Sequence, residues 1–129
     1  MTVCLDSWAV LAWLDGEQPA ADRVEAVLAD RPVMNWVNAV EVYYRIDRDH
    51  GRSAADETLA DLRKMIELDL PGVGRMIDTA QLKSRHAIAL GDCFAIATAA
   101  AQNLPLWTGD PEIIEADDLP CAVKDLRHL

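Results

Sequence analysis

The sequence lacks three features that each indicate a particular class of site: paired cysteines, a long apolar run and a phosphate-binding loop. Cys4, Cys93 and Cys121 form no CxxC pair, so a cysteine-bound zinc ion is not expected. Each lies in an apolar stretch, where we expect a buried, reduced thiol without a catalytic role. No apolar run approaches the roughly 18 residues of a membrane span, and neither GxxxxGK[ST] nor GxGxxG occurs. We therefore expect a soluble, cytoplasmic protein.

The chain is also short of basic charge. It has 12 Lys and Arg against 22 Asp and Glu, which gives a formal net charge of −10. A protein that binds nucleic acid through general electrostatics normally presents a basic surface, so this composition argues against that mode. The basic residues concentrate in the middle of the chain, where Arg45, Arg48 and Arg85 are candidates for phosphate contacts. A bound divalent cation would offset part of the negative charge wherever a phosphate enters.

The pattern of apolar segments predicts an α/β fold. With 129 residues, 51% of them hydrophobic, the length and composition fit one domain, residues 1–129. Short apolar strands alternate with helices, and this alternation predicts a central, mainly parallel sheet. Strands are expected near 3–5, 32–36, 69–74, 104–108 and 121–123, with helices at 7–14, 19–30, 38–49, 53–68, up to 85, 92–103 and from 111.

Four carboxylates stand where an apolar run gives way to a helix, with no basic residue beside them: Asp6, Glu41, Asp92 and Asp110. In an open α/β sheet, ligands collect beyond the carboxyl ends of the strands, so acids from distant parts of the chain can converge there. Converged carboxylates repel one another unless a cation holds them together. Oxygen ligands without His or paired Cys favour Mg²⁺ or Mn²⁺ over zinc.

Each acid also has a structural alternative, because Asp and Glu are favoured at helix starts. Asp6, Asp92 and Asp110 could each cap the helix that follows. Glu41 lies three residues after Asn38, which is the spacing of a capping box. Taken singly, each acid is more often a cap than a ligand, but four such helix starts in one chain favour a metal site.

The same residues resemble the PIN-domain nucleases, and among them most of all the VapC toxins of toxin–antitoxin pairs. The resemblance covers essentially the whole chain in order and spacing. It is carried by Asp6-Ser7 after the first strand, Asn38-x-x-Glu41 in a helix, Gly91-Asp92 before an alanine-rich helix, and Thr108-Gly109-Asp110-Pro111-Glu112 after a strand.

The resemblance implies a PIN-like three-layer α/β/α sandwich and an Mg²⁺- or Mn²⁺-dependent endoribonuclease. Its metal-binding and catalytic residues would be Asp6, Glu41, Asp92 and Asp110, supported by the polar side chains of Ser7, Asn38 and Thr108. It further implies an RNA substrate, a small VapB-like antitoxin and a homodimer. No histidine is needed as a base, so His50, His86 and His128 are left outside the site.

Three other functions stay open. The chain could be a housekeeping PIN nuclease of RNA maturation, which the absence of an adjacent antitoxin gene would indicate, or a PIN-like module that binds RNA or a partner without turnover. A receiver-type signalling domain fits less well, because it needs an acid pair after the first strand where this chain has Asp6-Ser7.

The four tryptophans, Trp8, Trp13, Trp36 and Trp107, could stack on RNA bases. Burial in the core or in a partner interface is the more common role. Trp8 and Trp13 lie on the first helix, where an antitoxin groove or a dimer contact could cover them.

Overall fold

The computed structural model describes residues 1–128 and contains a five-stranded sheet in which every neighbouring pair of strands is parallel. The strands are β1 (Cys4–Leu5), β2 (Val33–Asn35), β3 (Glu67–Asp69), β4 (Leu106–Thr108) and β5 (Val123–Asp125). The predicted parallel α/β sheet is therefore confirmed.

Helices connect the strands and cover both faces of the sheet. They are α1 (Ser7–Asp15), α2 (Ala20–Val27), α3 (Trp36–His50), α4 (Arg52–Met65), α5 (Val73–Arg85), α6 (Leu90–Ala101) and α7 (Pro111–Ile114), with a 3₁₀ turn at Leu28–Asp30. Within residues 1–128, no helix combines the length and the apolar character that a membrane crossing requires.

Two apolar clusters, one on each face of the sheet, form the core. Successive strand residues point to opposite faces. Leu5 and Trp107 accordingly pack with α1 to α4, while Cys4 and Leu106 pack with α5 to α7. The predicted three-layer α/β/α arrangement is confirmed.

Two helix starts differ from the sequence prediction. Helix α3 is capped by Asn35, whose side chain accepts a hydrogen bond from the Asn38 N–H at 2.9 Å, so Asn38 lies inside the first turn. The capping-box hypothesis for Glu41 is therefore wrong. Helix α6 begins at Leu90, and Asp92 lies in its first turn without a capping bond, so the cap hypothesis for Asp92 is also wrong.

The strand order is β3-β2-β1-β4-β5. A receiver-type domain has the order 2-1-3-4-5, so that alternative is excluded by topology. In the observed order, the chain winds one way from β1 through β2 to β3 and the other way from β4 to β5. The two directions meet between β1 and β4, and the crevice beyond such a switch point is where α/β sheets bind ligands. Asp6 follows β1 and Asp110 lies just beyond β4, so both flank this crevice.

Candidate metal centre

Asp6 and Asp110 are tied together across the switch point by Thr108. Asp6 is 1% exposed and caps α1, accepting a hydrogen bond from the Ala9 N–H on Oδ1 at 2.9 Å. The Thr108 hydroxyl donates to Asp6 Oδ2. Thr108 Oγ1 also accepts a hydrogen bond from the Asp110 N–H at 3.0 Å. One hydroxyl thus sets the positions of the two acids that follow β1 and β4.

Asp92, Asp110 and Glu112 form the tightest group of acids. One carboxylate oxygen from each lies within 4.8 Å of the others, a spacing that allows all three to bind one cation. Asp110 caps α7 by accepting from the Glu112 N–H at 2.9 Å, as the sequence predicted. Glu112 Oε2 accepts from the Ala89 N–H at 3.3 Å, which joins α7 to the start of α6.

Glu112 is the member of this group that the sequence prediction did not assign to the site. Glu112 belongs to the Thr108–Glu112 motif and lies in the first turn of α7, directly after the Asp110 cap. The spacing alone does not assign it to the site, since a solvent-facing glutamate in a first helical turn has the same pattern.

Glu41 approaches the start of α6 and is held there by two donors. The Asn38 side-chain amide donates to Glu41 Oε1 at 2.6 Å and to the Gly91 carbonyl at 3.1 Å. The Ser7 hydroxyl donates to the same Oε1 at 3.2 Å. Within residues 1–128, Glu41 Oε2 receives no hydrogen bond, which leaves that oxygen available to bind a cation.

Gly91 provides the space that the Glu41 carboxylate occupies. A Cβ atom added to Gly91 would lie 2.8 Å from both Glu41 carboxylate oxygens. Gly91 does not have a positive φ, so the backbone alone does not require glycine. Glycine is needed here because any side chain would occupy the space of the Glu41 carboxylate.

We expect Gly91→Ala to displace Glu41 and to weaken Mn²⁺ binding by about 10-fold to 100-fold, the range for residues that orient metal ligands. Gly74→Ala is the matched control, because Gly74 is also the second residue of a helix and has open space around it. Alanine should favour both helices by roughly 0.5–1 kcal/mol. Isothermal titration and thermal melts of both variants would check this, and equal Mn²⁺ affinities would contradict the role of Gly91.

Burial and mutual repulsion raise the pKa values of two of the acids. Burial raises the pKa of Asp6 to about 7, against hydrogen bonds from Thr108 and Ala9 that lower it. Burial also raises the pKa of Asp92 to about 8, with further increases from its hydrogen bond to Asp110 and from the charges of Asp110, Asp6 and Glu41. Burial and the neighbouring carboxylates therefore favour the neutral form of Asp92 in the metal-free protein.

The donor set fits a hard divalent cation. Among residues 1–128, no Lys or Arg forms an ion pair with Asp6, Glu41, Asp92, Asp110 or Glu112. All five offer carboxylate oxygen, the ligand type of Mg²⁺ and Mn²⁺. A cation would offset the cost of burying these charges and their mutual repulsion, the two causes that raise the pKa values of Asp6 and Asp92.

The candidate phosphate-binding arginines differ in their surroundings. Arg45 and Arg48 both pair with Asp49, at 3.6 Å and 2.9 Å. Arg85 lines an open cleft of about 500 Å³ together with His86 and Glu112. Among the three arginines, Arg85 is therefore the one beside the acidic cluster. His86, which the sequence does not assign to the site, borders the same cleft.

The tryptophans are buried in the core only in part. Trp107 is buried in the core, and Trp8 and Trp13 pack against the same cluster while partly exposed. Trp36 lines an apolar groove with Val40 and Tyr43, between α3 and α4.

A group of carboxylates at the switch point of a parallel α/β sheet is suited to a hard divalent cation. The chain belongs to the PIN domain family, whose sequence model matches residues 3–119. It is 35% identical over 101 residues to "Ribonuclease VapC1" of Mycobacterium tuberculosis, which covers 78% of this chain and 71% of that protein.

Two solved structures share the fold at low sequence identity. One is the DNA-bound VapBC of Salmonella typhimurium, with a TM-score of 0.77, 13% identity and 98% of each chain covered. The other is VapC20 of Mycobacterium tuberculosis, described as a sarcin-ricin loop cleaving toxin, with a TM-score of 0.73, 12% identity, and 92% of this chain and 97% of that chain covered. At such identities, the likeness shows the fold alone.

Proposed function

We propose that this protein is a metal-dependent endoribonuclease that hydrolyses RNA phosphodiester bonds and acts as the toxin of a VapBC-type pair. The observation that carries the proposal is the group of carboxylates at the switch point, in a PIN domain that is 35% identical to a ribonuclease of the VapC type. The chain forms a single domain, residues 1–129, and it acts in the cytoplasm, where cellular RNA is found.

The proposed metal-binding and catalytic residues are Asp6, Glu41, Asp92 and Asp110, with Glu112 added as a fifth candidate. Their support is the close spacing of Asp92, Asp110 and Glu112, together with the hydrogen bonds that orient Asp6 and Glu41. Mg²⁺ is the proposed cation, with Mn²⁺ as a substitute, because both accept carboxylate oxygens.

A divalent cation bound here would supply Lewis acidity and neutralise charge that develops on the phosphate. The protein itself orients the carboxylates through hydrogen bonds. Thr108 and the Ala9 N–H fix both oxygens of Asp6. Asn38 and Ser7 bind only Oε1 of Glu41, which leaves Oε2 free to bind the cation or to accept a proton from the attacking water. Arg85 lines the same cleft as Glu112 and could bind a neighbouring phosphate there.

The proposed partners are inferred from the family and not from an interface seen in this structure. We propose a small VapB-like antitoxin, in line with the VapBC complexes that share this fold. We also propose a homodimer. Its candidate face is α5, which exposes Val73, Met76 and Ile77 at the i, i+3, i+4 spacing of one helix side. The mass of the purified protein in solution tests the dimer.

Two other functions remain candidates. A housekeeping PIN nuclease would use the same carboxylates, and the absence of an adjacent antitoxin gene would favour it. A binding module without turnover is disfavoured by the cluster of acids. Their repulsion destabilises the fold unless a cation binds, and a module that only binds RNA does not need that cation. The net charge of −10 favours a narrow RNA target over general RNA binding.

Cleavage of total cellular RNA tests the proposal. We expect purified, antitoxin-free protein to produce discrete fragments with Mn²⁺ or Mg²⁺ and none with chelator. Sequencing of the new ends would identify the target. Intact RNA after incubation with folded protein and either metal would contradict the nuclease and favour the binding module.

A further inference from the structure

The ring of Trp8 lies against the backbone of Gly109, in the turn that carries Asp110. The contact is so close that only glycine fits at position 109. A Cβ atom added to Gly109 would overlap three atoms of the six-membered ring of Trp8. Gly109 is buried and does not have a positive φ. Glycine is therefore needed at this position to make room for the tryptophan ring, and not to allow an unusual backbone conformation.

The contact joins the same two segments that Thr108 joins. Trp8 lies two residues after Asp6, and Gly109 lies immediately before Asp110. The hydrogen bonds through Thr108 connect Asp6 Oδ2 to the Asp110 N–H. The β1–α1 and β4–α7 junctions are thus braced twice, once by a hydroxyl and once by a ring against a backbone.

We propose that Trp8 is a positioning residue, which holds the Gly109-Asp110 turn so that the Asp110 carboxylate meets Asp92 and Glu112 at cation-binding distance. The inference rests on the proposed metal-dependent function. The hydrogen bonds of Thr108 and Glu112 hold the two ends of the turn. The flat ring packed on Gly109 holds its backbone from the side, because the turn cannot move toward α1 without overlapping the ring.

A purely structural role for Trp8 predicts something different. Trp8 also packs against the apolar cluster of α1 to α4, so its loss lowers stability in either case. If stability were its whole contribution, the folded variant would bind metal normally. Trp13 lies on the same helix, packs against the same cluster and hydrogen-bonds to Glu25 away from the acids. It is the matched control for loss of an aromatic side chain from α1.

Mn²⁺ titration of the full chain by calorimetry, at a temperature where every variant is folded, tests the proposal. We expect Trp8→Ala to weaken Mn²⁺ affinity about 10-fold, as for other residues that support a metal ligand. Trp8→Phe keeps a flat ring but lacks the outer ring atoms that lie against Gly109, so it should restore only part of the affinity. Trp13→Ala should lower the melting temperature and leave the affinity unchanged. If Trp8→Ala does not fold, Trp8→Leu replaces it, because leucine keeps apolar volume without a flat face.

A double-mutant cycle with Gly109→Ala tests whether the contact itself is responsible. Gly109→Ala alone should weaken Mn²⁺ affinity about 10-fold, because the new methyl group displaces the ring or the turn. In the Trp8→Ala background the same change should have little further effect, because the space is then open. Strictly additive effects, or wild-type affinity in Trp8→Ala, would overturn the inference while wild-type Mn²⁺ binding upholds the proposed function. Failure of the wild-type protein to bind Mn²⁺ would overturn both.

Discussion

Replacement of Asp92 by Asn should lower RNA cleavage by about 10³-fold and, at pH 8, raise the stability of the metal-free protein by about 2 kcal/mol. Activity falls because a neutral amide is a poor ligand for a hard cation. Stability rises because burial, the hydrogen bond to Asp110 and the charges of Asp110, Asp6 and Glu41 all disfavour a charged Asp92. Asparagine keeps the shape and can donate a hydrogen bond to Asp110 without carrying that charge.

The opposite signs of the two effects make this variant informative. A residue that serves only the fold loses stability and activity together when replaced. Asp78→Asn, which removes an exposed acid from α5, is the control and should change neither quantity appreciably. Cleavage assays with Mn²⁺, and chemical denaturation in chelator, measure the two effects. An Asp92→Asn variant with wild-type cleavage would remove Asp92 from the proposed site.

The stability of the metal-free protein should fall as the pH rises, in contrast to the usual behaviour of acids that are paired in the folded state. Asp6 and Asp92 have folded-state pKa values of about 7 and about 8, against 3.8 as the ordinary value. Between these limits the folded protein holds protons that the unfolded chain has released. The stabilisation is complete below pH 4 and is lost as the pH rises through 7 and 8.

We expect a loss of several kcal/mol between pH 5 and pH 8.5, which corresponds to a fall of about 10 °C or more in melting temperature. Mn²⁺ or Mg²⁺ at about 100 times its dissociation constant should restore roughly 2.7 kcal/mol at pH 8.5. The same metal should have little effect at pH 5, where protons occupy the site. The Asp92→Asn variant should show a smaller pH dependence. A metal-free melting temperature that rises from pH 5 to pH 8.5 would contradict the raised pKa values.

The parts of the site that follow strands were predictable from sequence. Asp6 and Asp110 each stand directly beyond a short apolar strand and cap the helix that follows, so local pattern located them. The parallel sheet followed from the alternation of strands and helices. The order of its strands did not, because pairing between β1 and β4 depends on contacts about a hundred residues apart along the chain.

The parts that lie within helices were harder to predict. Asn35 and Asn38 are both residue types that cap helices, so the sequence does not decide between them. In the structure β2 ends at Asn35, α3 begins at Trp36, and Asn35 is the cap. Asn38 is consequently a buried side chain that orients Glu41 rather than a cap. Helix α6 starts at Leu90 without a side-chain cap, so no sequence signal marks its first residue. The contacts of Gly91 with Glu41 and of Gly109 with Trp8 come from distant segments and leave no local pattern.

Anomalous diffraction from crystals soaked in Mn²⁺ tests most directly the central claim that these carboxylates hold a divalent cation. The account predicts an anomalous peak between Asp92 and Asp110, with carboxylate oxygens from both at about 2.0–2.4 Å and with Asp6, Glu41 or Glu112 completing the set. Soaks of Asp92→Asn crystals should show a weaker peak or none. An empty centre in wild-type crystals that bind Mn²⁺ elsewhere would contradict it.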